Sequence, residues 1–261
     1  MTRVLSALVL LSTVVGVVGW LPAVATTGLA TCVALAAFVE YRAIAESLDA
    51  RVPAIVTALG VAAVCATLGW PGARVEAVLM IATVTVGVTV LGSSASGGHI
   101  LRDASMSLFA VLYLGLPLGA LAALRAETGP AAVLLLLATV AISDTTQYYG
   151  GRLMGRRALA PTISPKKTVE GAVVGVVIGT VAMAALGSWG LPAFPTSVLV
   201  LLGATVTTLG IAGDLFESGL KRGAGVKDAS SLIPGHGGML DRIDGLLFAA
   251  PMFYVVVRSW R

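Results

Sequence analysis

The sequence predicts an all-α fold, a polytopic membrane helical bundle with about nine transmembrane helices. Of the 261 residues, 57% are hydrophobic and 11% are charged, against about 25% charged in an ordinary soluble domain. The apolar runs lack the in-out alternation of barrel strands, so helices are the way to satisfy their backbone groups in lipid. Charge is absent from long stretches, each able to hold one or two spans of about 20 residues: 4–39, 52–73, 77–101, 104–124 and 171–213.

Proline, glycine and charged residues divide these stretches into the expected helices. In chain order the helices are expected near 4–21, 24–41, 52–69, 74–92, 104–124, 128–149, 168–187, 196–220 and 239–259. The first run follows Arg3 and ends near a sequence that resembles a signal-peptide cleavage site. Because the run is longer than a usual signal core, we interpret it as the first transmembrane helix. We expect a single integral membrane domain over 1–261, with the motif-bearing catalytic half at about 139–261.

The cations predict which way the chain crosses the membrane, because Lys and Arg accumulate on the cytoplasmic side. With nine spans, one face receives Arg3, Arg42, Arg51, Arg102, Arg152, Arg156, Arg157, Lys166, Lys167, Lys221, Arg222 and Lys227. The other face receives Arg74, Arg125, Arg258 and Arg261. We therefore expect a bacterial inner (plasma) membrane protein with its N-terminus and polar loops in the cytoplasm and its C-terminus outside.

Glycine recurs every four residues on the helix expected at 168–187, at Gly171, Gly175 and Gly179. Small residues at this spacing let helices approach closely. Both packing within the bundle and a dimer interface fit the pattern.

The segment 144–171 is the first to break the apolar pattern. Asp144 lies at the end of an apolar helix and shares a helix face with Tyr148. Ser164 and Thr168 stand near a helix start, where backbone donors point toward anions. The loop concentrates cations among Gly, Pro and Ser, a composition suited to surrounding a polyanion: Arg152, Arg156, Arg157, Lys166 and Lys167. An ordinary positive-inside loop is the alternative, and it stays open for the adjacent arginines.

The second break begins at Asp214, after a long uncharged run. Asp214, Ser218 and Lys221 lie on one helix face, so a carboxylate, a hydroxyl and a cation point the same way. The last helix opens with Asp241 and Asp244, which are three residues apart and share a face. Because ionisable residues at membrane depth are costly, both breaks are functional-site hypotheses.

The clustered carboxylates indicate a cation between them, since they would otherwise repel one another. Mg²⁺ prefers oxygen ligands and typically takes one or two carboxylates plus substrate phosphates. His236 stands among glycines between the two acid clusters and is a further candidate, whereas His99 is interpreted as a bystander. The alternative is that Asp241 and Arg242 simply cap the last helix and pair with neighbouring charges.

The stretch 218–244, SGLKRGAGVKDASSLIPGHGGMLDRID, resembles the signature of the phosphatidate cytidylyltransferases, also called CDP-diacylglycerol synthases. The pattern fixes about a dozen residue types over its length, which makes chance agreement far rarer than for a short glycine motif. Segment 144–171 is similar to the family's second motif region, although Gln147 departs from the small residue usual there. The resemblance by motif covers roughly the C-terminal half of the chain.

The resemblance implies transfer of a cytidylyl group from CTP to phosphatidate, giving CDP-diacylglycerol and pyrophosphate, in phospholipid biosynthesis. The implied cofactor is Mg²⁺ held by Asp214 and Asp241, with a second, monovalent cation sharing the centre. The expected partners are CTP, phosphatidate and membrane lipids, the expected assembly is a homodimer, and no nucleic acid is expected.

Such a transfer depends mainly on alignment and charge neutralisation, because the attacking lipid phosphate is already ionised. The residues expected to bind the nucleotide are Asp144, Tyr148, Arg152, Ser164 and Lys167. The residues expected to hold the transferring phosphates, or to orient groups that do, are Ser218, Lys221, Arg222, Lys227, Asp228, His236, Arg242 and Asp244.

Two other functions fit parts of the pattern. A relative with the same chemistry could accept an ether-linked or isoprenoid lipid phosphate, which only the lipid groove would distinguish. An ion-coupled transporter would also carry intramembrane charges, but near mid-membrane and in paired inverted halves. Here the charges gather at one predicted face, in the second half of the chain.

Overall fold

The computed structural model describes residues 2–70, 72–93, 99–226, 230 and 237–260, with side chains from residue 8 onward. Helices dominate, and a short pair of strands interrupts them. In chain order the elements are α1 (Thr2–Trp20), α2 (Ala23–Ser47), α3 (Ala54–Leu68), α4 (Val75–Ser93), α5 (Ile100–Ala110), α6 (Leu116–Thr128), α7 (Pro130–Met154), β1 (Ala158–Ala160), β2 (Ser164–Thr168), α8 (Val169–Gly190), α9 (Thr196–Gly223) and α10 (Leu240–Ser259).

Helices α5 and α6 form one continuous helix, because a π-helical turn at Val111–Gly115 connects them. Pro117, at the start of α6, has no N–H to donate to the carbonyl of Tyr113 four residues earlier. The wider turn accommodates that missing hydrogen bond. Counted this way, the described residues contain a helix at each of the nine predicted places. Helices α2 and α7 continue past their predicted ends at 41 and 149.

Six of these helices are long and apolar enough to cross a membrane, as judged over the residues the structure describes: Ala23–Ser47, Val75–Ser93, Ile100–Thr128, Pro130–Met154, Val169–Gly190 and Thr196–Gly223. Helix α3 has 15 residues, so it spans about 22 Å against a hydrocarbon core of about 30 Å. Helix α1 has 19 residues, of which the described side chains, Leu8–Trp20, are mostly apolar, and α10 carries several charges. An integral membrane protein is therefore indicated. Six helices have the length and composition of a membrane span, and the count of about nine spans stays a prediction.

The all-α prediction was wrong for one segment, because β1 and β2 form a two-stranded antiparallel sheet. Ala158 pairs with Thr168, and Ala160 pairs with Ser164. The segment was interpreted as a cationic loop. Pro161 and Pro165 keep it from continuing as a helix, and the hairpin satisfies the backbone groups that a loop would leave to water.

Contacts between helix ends show that the two polar segments lie at the same end of the bundle. The C-terminal part of α7, the start of α8, the C-terminal part of α9 and the start of α10 meet there. At the opposite end, Arg125 donates to the carbonyls of Val18 and Leu21. We call these the site end and the far end. Which of them faces the cytoplasm stays a prediction.

The glycines of α8 serve packing within the bundle, one of the two uses predicted for them. A Cβ at Gly175 would lie 2.9 Å from the Cβ of Gln147 on α7, and one at Gly179 would lie 2.5 Å from Thr207 on α9. These three helices therefore approach more closely than larger residues would allow.

An aromatic cluster fills the space beneath the site end, where α2, the π-helical turn, α9 and α10 meet. Ring centroids within the cluster are 5.1–6.4 Å apart, and its members are Tyr41, Phe109, Tyr113, Phe216 and Phe248. Phe216 immediately precedes Glu217, and Phe248 lies one turn after Asp244. The cluster thus gives a rigid base to the helix segments that carry the acids.

Candidate active site

Lys221 on α9 lies between two carboxylates. Its Nζ is 2.6 Å from Glu217 on the same helix and donates a hydrogen bond to Asp241 on α10. Glu217 is fully buried and Lys221 is only 9% exposed, so water screens these charges weakly. A buried charge is stable only when it is paired, and the one Lys221 ammonium is the partner of both carboxylates across α9 and α10.

Asp241 is also held from its own loop. Its second oxygen accepts a hydrogen bond of 2.8 Å from the backbone N–H of Gly238. Gly237 has φ 77°, and a Cβ there would lie 3.1 Å from the same carboxylate oxygen. A glycine is needed at this position for both its positive φ and its closeness to the carboxylate.

Asp244 lies one turn deeper, where α10 approaches α9 closely. A Cβ at Gly213 would lie 2.5 Å from the Asp244 carbonyl oxygen, so only glycine permits this approach. The close contact brings the Asp244 carboxylate within electrostatic range of Asp214 and Glu217.

The hairpin carries the first motif to the second. Lys167 on β2 forms an ion pair with Asp214 on α9, and both side chains are largely buried. Arg222 strengthens the connection, because its Nε donates a 3.3 Å hydrogen bond to the carbonyl of Ile163 in the turn of the hairpin. The two segments that the sequence singled out therefore meet at one site.

Glu170 organises the loop before the hairpin. Its carboxylate accepts hydrogen bonds from the backbone N–H groups of Arg156 and Arg157, at 2.9 and 3.2 Å. Thr168 caps α8 by accepting a 3.1 Å hydrogen bond from the N–H of Gly171. The side chains of the two arginines remain exposed, so their alternative interpretation as an ordinary basic loop stays open.

Among the residues predicted to bind the nucleotide, Asp144 lies within electrostatic range of Asp214, Lys167 and Arg242. Tyr148 is 61% exposed and its ring lies against that of Tyr149, with centroids 5.3 Å apart. Arg152 is exposed and Ser164 is partly buried in β2. The structure thus brings Asp144 and Lys167 to the acids, while the other three lie around them at the same end.

The remaining predicted residues divide into two groups. Ser218 is partly buried on α9 and Arg242 is exposed on α10. Lys227, Asp228 and His236 lie outside the described residues, so their predicted roles stay predictions.

No group of three acid, histidine or cysteine side chains is arranged to hold a metal within the described part of the chain. The two predicted metal ligands, Asp214 and Asp241, each pair with a lysine instead. Negative charge is nevertheless concentrated here, because Asp144 and Asp244 both lie within electrostatic range of Asp214.

Two acids at this end were not among the predicted site residues. The sequence analysis did not single out Glu217, although its spacing of four from Lys221 is a usable signal. Glu40, on α2, is 2% exposed and accepts three hydrogen bonds from the other polar segment: 2.5 Å from the Ser230 hydroxyl, 2.8 Å from the N–H of Met239 and 2.7 Å from the N–H of Leu240.

An apolar groove of about 470 Å³ runs between α8 and α9 on the outside of the bundle. Val169 and Leu215 line it, and they follow directly after Thr168 and Asp214. Leu159 of the hairpin and Ala172, Val176 and Ala212 on the two helices line it as well. The groove therefore lies along the same helix and strand segments that carry Lys167 and Asp214.

The model of the cytidylyltransferase family matches residues 1–260. A phosphatidate cytidylyltransferase of Brucella abortus biovar 1 is 33% identical over 97% of this chain and 92% of its own length. One of Helicobacter pylori strain J99 is 38% identical over 59% of this chain and 57% of its own length. The uncharacterized Escherichia coli protein YnbB is 42% identical over 51% of this chain.

The matches differ in extent. The chain spans only about half the length of several relatives, YnbB among them. The Brucella match and the family model instead extend over nearly the whole chain. The chain belongs to the cytidylyltransferase family.

Proposed function

We propose that this protein transfers a cytidylyl group from CTP to phosphatidate, giving CDP-diacylglycerol and pyrophosphate in phospholipid biosynthesis. The observation that carries the proposal is the convergence of two Lys–Asp pairs, Lys167 with Asp214 and Lys221 with Asp241, at one end of a membrane bundle. The names of the Brucella and Helicobacter relatives support the same reaction.

In the proposed reaction an oxygen of the lipid phosphate attacks the α-phosphorus of CTP. A P–O bond forms there, the bond from the α-phosphorus to the bridging oxygen breaks, and pyrophosphate leaves with the electron pair. Two polyanions must meet for this step, so the site has to supply positive charge and alignment more than a strong base.

The donor set at the site fits Mg²⁺, which takes one or two carboxylates and completes its shell with substrate phosphates and water. Asp214 and Asp241 would hold the ion, and Asp144 and Asp244 add negative charge near Asp214. When bound, Mg²⁺ would offset the charge of the CTP phosphates. A monovalent cation beside it stays part of the proposal.

The lysines have a second role in this proposal, because each already pairs with a proposed metal ligand. Without substrate, Lys167 and Lys221 neutralise Asp214 and Asp241, which lie in surroundings of low polarity. With substrate, the two ammonium groups would turn to phosphate oxygens. Arg222, Lys227 and Arg242 would assist them, while Asp228, His236 and Asp244 would orient neighbouring groups.

The lipid would reach the site from the bilayer along the groove between α8 and α9. Two of its lining residues, Val169 and Leu215, lie within two positions of Lys167 and Asp214 in the chain, and the groove is lined almost entirely by apolar side chains, as an acyl chain requires. We propose that it holds one acyl chain of the lipid phosphate, with the phosphate at its polar end. An ether-linked or isoprenoid chain would fit the same chemistry, and competition between lipid phosphates distinguishes them.

The test is an assay with purified protein in lipid nanodiscs. With CTP, phosphatidate and Mg²⁺, it should form the liponucleotide and pyrophosphate in equal amounts. Omission of Mg²⁺ or of phosphatidate should abolish both products. Pyrophosphate release that does not depend on any lipid phosphate would refute the proposal.

A further inference from the structure

Glu40 connects the N-terminal half of the chain to the site. It lies on α2, 190 or more residues before its hydrogen-bond partners, and both of its carboxylate oxygens are used. One oxygen accepts from the Ser230 hydroxyl and the N–H of Met239, and the other accepts from the N–H of Leu240. Within the described residues, Glu40 forms no ion pair with a lysine or arginine.

Helix α10 needs such a partner, because it has no N-terminal side-chain cap of its own. Its N-cap residue, Met239, has helical dihedral angles and an apolar side chain. The first backbone N–H groups of a helix have no partner inside the helix. Here Asp241 satisfies the N–H of Gly238, and Glu40 satisfies the next two. A carboxylate at this position also interacts favourably with the helix dipole.

We propose that Glu40 is a positioning residue for the active site, which fixes the start of α10 and thereby holds Asp241 against Lys221. The effect of Glu40 on catalysis rests on the proposed function, whereas its effect on the start of α10 does not. Three successive N–H groups are shared between Asp241 and Glu40, so loss of Glu40 leaves two of them without an acceptor. Asp241 is then the nearest carboxylate able to turn to them and away from Lys221.

The neighbouring residue on α2 supports this assignment. Tyr41 donates a 3.0 Å hydrogen bond to the carbonyl of Met106 on α5 and belongs to the aromatic cluster beneath the site. Helix α2 is thus fixed on one side by α5 and presents Glu40 to α10 on the other. A carboxylate held this firmly is suited to setting the position of another element.

The experiment compares Glu40→Gln with Glu40→Asp. The amide of glutamine has one acceptor oxygen, and its NH₂ group would face a backbone N–H. Aspartate keeps two acceptor oxygens on a shorter side chain. Glu127→Gln is the matched control, because Glu127 accepts a 3.0 Å hydrogen bond from Tyr254 at the far end.

Hydrogen–deuterium exchange, measured without CTP, lipid or Mg²⁺, reports the structural role. In Glu40→Gln the amides in the peptide 237–244 should exchange at least about tenfold faster than in wild type, while α7 and α8 stay protected. Glu40→Asp should recover part of the protection, and Glu127→Gln should leave this peptide unchanged. Unchanged exchange, or loss of protection throughout the bundle, would overturn the proposal.

Kinetics report the consequence for the site. In Glu40→Gln, kcat should fall about tenfold to a hundredfold and the Mg²⁺ concentration for half-maximal rate should rise by a similar factor. The KM for CTP should change less, and Glu40→Asp should restore part of the rate. Wild-type kcat and Mg²⁺ dependence in a variant whose α10 amides exchange fast would refute the catalytic part. If the wild-type protein showed no cytidylyl transfer, the proposed function would be refuted instead. The hydrogen–deuterium exchange measurement would still decide whether Glu40 fixes the start of α10.

Discussion

The two ends of the bundle use polar residues differently. At the far end, Arg125 donates to the backbone carbonyls of Val18 and Leu21, and Tyr254 bridges Glu127 and Arg258. At the site end, acids pair with the ammonium groups of Lys167 and Lys221. Backbone carbonyls are permanent partners, whereas a lysine can exchange a carboxylate for a phosphate. The comparison separates groups that fasten helices from groups available to a substrate.

The largest effect is expected for the proposed metal ligands. Asp214→Asn and Asp241→Asn should each lower kcat by at least about a hundredfold, because each removes a charge that offsets the cation. The far-end variant Glu127→Gln should keep its rate and lose about 1 kcal/mol of stability. Turnover assays and thermal unfolding in the same nanodiscs check both. Near wild-type turnover in either aspartate variant would remove its metal role.

The ion pair between Lys221 and Glu217 should make the effects of substituting these two residues depend on each other. Lys221→Gln leaves Glu217 buried and unpaired, which should cost about 3 kcal/mol. The double variant Glu217→Gln/Lys221→Gln should regain most of that stability but none of the activity, if Lys221 also serves the substrate phosphates. Denaturation and turnover of Lys221→Gln, Glu217→Gln and the double variant complete the double-mutant cycle. Equal stability of the single and double variants would show that Glu217 does not depend on this lysine.

The close approach of α9 and α10 gives an intermediate effect. Gly213→Ala places a Cβ 2.5 Å from the Asp244 carbonyl oxygen, so the helices must separate at a cost of about 1–3 kcal/mol. Gly210→Ala is the matched control one turn earlier, where the new Cβ would meet nothing closer than 4.0 Å. The first variant should unfold at lower temperature and turn over more slowly than the second. Identical behaviour of the two would contradict the close contact.

The smallest effect is expected at the groove. Val176→Trp should partly fill it and raise the KM for long-chain phosphatidate a few-fold, with less change for a short-chain lipid and none for CTP. Val181→Trp, on the exposed surface of the same helix, should leave the ratio of the two lipids unchanged. Assays with both lipids at saturating CTP distinguish the variants. The same response from both tryptophans would exclude the groove as the acyl-chain site.

Most of the helices, and the meeting of the two polar segments, could be predicted from the sequence. Apolar runs interrupted by Pro and charge located the helices, because lipid leaves the backbone few other conformations. The charge pattern also placed both polar segments at one end, where Lys167 and Asp214 do meet. The hairpin was missed because five consecutive strand residues carry no periodic signal of their own.

Glu40 was missed for a different reason. Its neighbours in the sequence suggest only the end of an apolar helix, and its function depends on partners about 200 residues away. A hydrogen bond over such a separation leaves no trace in spacing or composition. Local patterns can therefore locate the residues that meet a substrate more readily than those that hold them in place.

The contact between Glu40 and α10 also has a consequence for how the chain is made. At about 5–20 residues per second, a ribosome that has completed α2 needs roughly 10–40 seconds more to deliver Met239 and Leu240. During that interval the Glu40 carboxylate is already present, but the N–H groups of Met239 and Leu240 that bond to it have not yet been synthesised. A nascent chain interrupted before α10 would keep this acid without the backbone N–H groups of Met239 and Leu240.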